Sequence, residues 1–117
     1  MVDTTTSTLT IKSTSNSVEI AAGNGYSKGG TSLGTLTTAS QSAGTMTVAA
    51  NQVVFTASGG TIGPFRYIVL YNNSTASTST RPPIAWWDYG SALTLNSGDS
   101  FTIQFNGANP GTVFTLA

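Results

Sequence analysis

Along most of this chain apolar residues recur at every second position in short runs, the period of a β-strand with one covered face. Leu9 and Ile11 alternate with Thr and Lys, and Val18 and Ile20 flank Glu19, predicting two short strands after a Thr/Ser-rich start. Residues 33–38 read as the next strand. Met46 and Val48 alternate with Thr47, Asn51-Gln52 makes a turn, and Val53-Val54-Phe55-Thr56 follows as a strongly apolar strand. The strongest core signal is residues 65–71, where Phe65, Tyr67, Val69 and Tyr71 face one way and Arg66, Ile68 and Leu70 the other. Both faces are substantially apolar, so the pattern predicts a central strand. A polar loop over residues 72–83 leads to Ile84-Ala85-Trp86-Trp87-Asp88-Tyr89, closed by a turn at Gly90-Ser91. Leu93 and Leu95 approach a turn at Asn96-Ser97-Gly98-Asp99, Phe101, Ile103 and Phe105 form a half-buried strand, and residues 112–116 form the last. No helical period is sustained. About ten short strands between turn signals predict an all-β fold, an antiparallel β-sandwich or flattened barrel. Residues 1–17 read as a short N-terminal arm or edge strand, and 18–117 as a single β-sandwich domain.

Composition narrows what such a domain can do. The 117 residues carry four basic and four acidic side chains and no net charge, so no basic field exists to hold nucleic acid or an anionic membrane. Cysteine and histidine are both absent. Their absence removes disulfides, thiol nucleophiles, the usual general base and nearly every transition-metal site. In their place stand 21 Thr and 15 Ser, β-branched or turn-forming residues that suit a half-solvated pleated surface. No apolar run reaches membrane-spanning length, and the first residues have neither the basic end nor the apolar stretch of a signal peptide, so the chain reads as made without export.

Candidate chemistry is correspondingly sparse. The glycine-rich segment at residues 23–30 lacks the lysine of a phosphate-binding loop: Thr31 follows Gly30, and no helix comes after it. It reads as a structural turn built on Gly25, Gly29 and Gly30, with Tyr26 packed over the glycines. Catalysis by paired carboxylates has only Glu19 and Asp88 to draw on, since Asp3 lies in the arm and Asp99 in a turn. We therefore expect no enzyme, no cofactor and no metal site. Asp88 is expected to accept backbone amides at Gly90-Ser91 or to pair with Arg66. Trp86 and Trp87, adjacent on a strand, must point to opposite faces. Because Trp86 shares a face with Ile84, Trp86 is expected in the core and Trp87 outside, where it forms an aromatic platform with Tyr89 that suits a protein interface or, alternatively, a sugar ring.

Several segments, in order, resemble a family of small structural proteins encoded by tailed bacteriophages. Gly25-Tyr26-Ser27-Lys28-Gly29-Gly30-Thr31-Ser32-Leu33 is similar to the family's G-Y-x-x-G-G-x-x-L segment. Val53 and Phe55 occupy the following apolar strand, and Arg66-Tyr67-Ile68-Val69-Leu70-Tyr71 resembles its R-Y-x-V-L-Y strand. Trp87-Asp88-Tyr89-Gly90 matches an aromatic-Asp-aromatic-Gly turn, and Phe101-Thr102-Ile103 and Phe114-Thr115-Leu116 complete the order over residues 18–116. At the front the chain departs from the family, with the Thr-rich residues 1–17 in place of a longer acidic and aromatic segment. The resemblance implies a virion component, with capsid decoration or cement as the preferred role: an oligomer on the outer capsid surface, made in the bacterial cytoplasm, with the major capsid protein as partner. Leu9, Ile11, Trp87 and Tyr89 are the expected interface residues, and a head or tail module that binds a surface glycan or receptor is the alternative.

Overall fold

The computed structural model describes residues 19–33, 38–73 and 83–116. These form seven strands and no helix: β1 (Thr38–Ser42), β2 (Thr45–Ala50), β3 (Val53–Thr56), β4 (Ile62–Tyr71), β5 (Pro83–Leu95), β6 (Ser100–Ile103) and β7 (Gly111–Leu116). All strand pairing is antiparallel, in three pieces: β1-β2-β7, β3-β6 and β4-β5. The described strands close no barrel. The predicted arm at residues 1–17, with Leu9 and Ile11, lies outside the described residues, as do Val18 and most of the 72–83 loop.

The core follows from alternation on β3 and β6. Val53 and Phe55 are buried and pair with Ile103 and Phe101, while Val54 and Thr56 face outward and the Thr56 hydroxyl meets that of Ser100 at 2.8 Å. Onto this sheet pack Ile62 and Phe65 from the start of β4, Leu93 and Leu95 from the end of β5, Tyr26 from the glycine-rich segment, and Ile20 and Leu33 from either side of that segment. Phe65 is fully buried, its ring 5.3 Å from Phe101 in an edge-to-face contact. Burying such a ring contributes roughly 1.5–3 kcal/mol. The turn at Asn96 and Asp99 forms as the sequence predicts, with the Asn96 amide donating to Asp99 Oδ2 at 2.9 Å.

Several expectations need correction. β4 is not central: among the described strands it pairs with β5 alone, and beyond Phe65 its residues are only half-buried. Its two apolar faces belong to a two-stranded ribbon, with no further strand beside it among the described residues. Gly90-Ser91 does not end a strand. β5 runs unbroken from Pro83 to Leu95, and the register passes from Tyr67↔Asp88 to Phe65↔Leu93, so Arg66 alone faces residues 89–92. This is a wide bulge, which Gly90 permits with φ at +92°. Residues 51–52 connect two different sheets, since β2 pairs with β1 and β7 but not with β3. Finally, β1 (Thr38–Ser42) is a polar strand where only its first residue was expected to be extended.

Candidate functional site

Two clusters gather most of the residues singled out from the sequence. The first is a clasp around the glycine-rich segment. Tyr26, only 3% exposed, packs its ring 5.8 Å from Phe55 and donates its hydroxyl to Glu19 Oε1 at 2.7 Å. The same carboxylate oxygen accepts the Gly29 amide, and the Tyr71 hydroxyl donates to the Gly29 carbonyl at 2.6 Å. Burial, then the hydrogen bond to Glu19, push the Tyr26 hydroxyl well above the ordinary tyrosine range. Gly30 closes the tight turn by donating its amide to the Ser27 carbonyl at 3.0 Å. At Gly25, φ is +97° and a Cβ would lie 2.2 Å from the Thr56 carbonyl oxygen, so only glycine fits. Glu19 thus holds a loop.

The second cluster lies midway along the β4–β5 ribbon, around Arg66 and Asp88. Arg66 grips Asp88 with two hydrogen bonds of 2.6 and 2.7 Å, and Asp88 Oδ1 also accepts the Gly90 amide at 2.8 Å. Both partners considered from the sequence are therefore engaged at once. The Arg66 hydrogen bonds, then that from Gly90, hold the Asp88 carboxyl below the usual aspartate range. Arg66 also lies over the Tyr67 ring at 5.3 Å. The carboxylate fixes the bulge, which in turn aims the flanking aromatics. Glu19 and Asp88 serve different clusters: Asp88 stands opposite Tyr67, midway along β4, whereas Glu19 holds the loop bound to Tyr71, the last residue of β4.

The two tryptophans do take opposite faces, but neither enters the core: Trp86 is not buried as expected, and Trp87, though it leans on Phe105, stays exposed. Trp87 and Tyr89 turn toward β6, meeting Phe105 at 6.0 Å and Phe101 at 5.8 Å, and remain 40% and 54% exposed. Trp86, expected in the core, is 54% exposed on the outer face beside Tyr67, at 5.9 Å, and shares that face with Ile84. Alternation places two residues on opposite sides of a strand, but which side is covered depends on where β6 lies. Between ribbon and β6–β7 runs an open groove of about 480 Å³, walled by Ile68, Trp87, Phe101, Phe105 and Val113. Its polar lining is Thr102, Gln104, Asn106 and Thr112, without an ionisable side chain. Among the described residues, no three His, Cys, Asp or Glu side chains gather as a metal site.

Comparison of the chain with models of protein families, with curated proteins and with solved structures finds no match.

Proposed function

We propose that this chain is a bacteriophage virion structural protein, a capsid decoration protein that binds the major capsid protein on the outer surface of the head, and that its antiparallel pieces stack as a β-sandwich. One observation carries the reading. The motifs that resemble the phage family are used up in holding the frame, through Gly25, Tyr26 and Gly29 in the clasp and Arg66, Asp88 and Gly90 in the bulge. What remains for contact is a sparsely charged surface with a groove free of ionisable side chains and aromatic side chains held half in solvent, Trp87 and Tyr89 foremost. A monomer that leaves such side chains open along one ribbon presents an interface. Burial at about 25 cal/mol per Å² drives attachment, and hydroxyl and amide groups supply hydrogen bonds that salt does not screen.

The test is add-back of purified protein to particles that lack it, washed in rising sodium chloride. Attachment that survives ~1 M salt, where charge interactions are screened within about 3 Å, supports the reading, and release at moderate salt contradicts it. A second reading, a glycan-binding module, draws on the groove itself, where Trp87 stands beside amide and hydroxyl side chains. Glycan-array binding that Trp87→Ala abolishes would select it.

A further inference from the structure

On its side away from β4, β5 presents a strand edge that nothing described covers, since among the described residues its only pairing partner is β4. The run able to pair there is short and bounded. Pro83 at its start has no amide to donate, and past Asp88 the bulge at residues 89–92 breaks the ladder. Between them lies Ile84-Ala85-Trp86-Trp87-Asp88, with Ile84 53% and Trp86 54% exposed. Pro83 and the bulge limit the length of this edge, but between them no lysine or proline blunts it. Here the one ionisable side chain of the run, Asp88, is already bound by Arg66 of its own ribbon.

We propose that this edge pairs with the same edge of a second copy of the chain, antiparallel and two-fold symmetric, with Trp86 opposite Trp86 of the second copy. The register follows from the bounds. If the whole run pairs, the symmetry axis passes through its midpoint, and that midpoint is Trp86. Ala85 then stands opposite Trp87 of the second copy, small against large on the groove side. Ile84 stands opposite Asp88, whose charge is neutralised within its own subunit. No like charges are brought together, the condition that a contact of a surface with itself must meet. Edge carbonyls and amides close the ladder, giving a four-stranded sheet in the order β4-β5-β5-β4. The exposed parts of Ile84, Trp86 and Trp87 with five residues of backbone per subunit bury on the order of 800 Å² in total, below the standard interface size. The dimer therefore dissociates on dilution. It draws on Trp87, which also lines the groove of the capsid reading, but leaves Tyr89 and most of that groove open.

Sedimentation velocity of the full chain from ~5 to ~500 µM tests it, a span that brackets a micromolar dissociation constant. The expected result is a concentration-dependent shift from 12.0 kDa to twice that mass. Trp86→Lys and Trp86→Glu each place like charges at the axis and should remain monomeric with unchanged circular dichroism, since the side chain is exposed and its removal leaves the core intact. Mixed in equal amounts, the two variants should dimerise, because residue 86 then faces its opposite charge. A wild-type protein that stays monomeric throughout overturns the proposal and assigns the edge to a different protein or to none. So does a trimer, a dimer that both variants retain, or a mixture that fails to associate.

Discussion

Replacing Glu19 with alanine removes the acceptor for two groups at once, the hydroxyl of the buried Tyr26 and the amide of Gly29. Hydrogen bonds to a charged partner contribute about 1.5–3 kcal/mol each. The two share one carboxylate oxygen and Glu19 is only half-buried, so the losses do not add fully, and we expect Glu19→Ala to cost about 2–4 kcal/mol. Tyr26→Phe keeps the ring against Phe55 and loses only the hydroxyl, at about 1–2 kcal/mol. Because the Tyr26 hydroxyl bonds directly to Glu19, the double variant should cost less than the sum of the singles by about 1 kcal/mol. Urea unfolding at neutral pH, followed by the fluorescence of the two tryptophans, measures all three. An alanine variant within ~0.5 kcal/mol of wild type, or strict additivity in the cycle, would refute the clasp as the element that fixes the glycine-rich loop.

Three further outcomes follow from the same geometry. Gly25→Ala should cost more than ~3 kcal/mol or prevent folding, because its Cβ meets the Thr56 carbonyl oxygen, whereas Gly90→Ala, with a similar φ but open space, should cost about 1 kcal/mol in a melting experiment. The Tyr26 hydroxyl is held above its unfolded value, so its contribution is complete below about pH 10 and lost as pH rises beyond it; ultraviolet titration compared with that of Tyr26→Phe should show Tyr26 ionising only with unfolding. Asp88 is shifted the other way, so its hold on the bulge is present above the ordinary aspartate pKa and lost as acid protonates it, and both acid and Asp88→Asn should lower the protection of the Gly90 amide relative to its intrinsic exchange rate at the same pH; unchanged protection would show the bulge is set by backbone alone.

The parts of the fold legible in the sequence are those set by local alternation. Phe101 with Ile103 and Phe105 announce their inner face because Thr102 and Gln104 between them are polar, and Val53 with Phe55 stand in a run apolar enough to be core although Val54 faces out. The Asn96–Asp99 turn and the two partners of Asp88 are similarly local, or limited by how few arginines exist. What depends on a neighbour's position was hidden. Trp86 and Trp87 carry no sign of which face β6 covers, and Gly90 after an acid looks the same whether it ends a strand or bulges within one. β1 has no apolar alternation to betray it, and its pairing with β2 is supplied by register. The role of Glu19 was missed because it reaches across to Gly29 and, through it, to Tyr71; an acid seven residues before a tyrosine in a glycine-rich loop was the one available signal.

The central proposal, that the chain coats a phage capsid through a sparsely charged aromatic surface, is tested most directly by cryo-electron microscopy of phage particles carrying it. The account predicts density for the chain repeated hundreds of times over the head lattice, with the Trp87–Tyr89 groove against the major capsid protein. A handful of copies at a vertex or tail, or attachment through the charged side chains with that groove open to solvent, would contradict it.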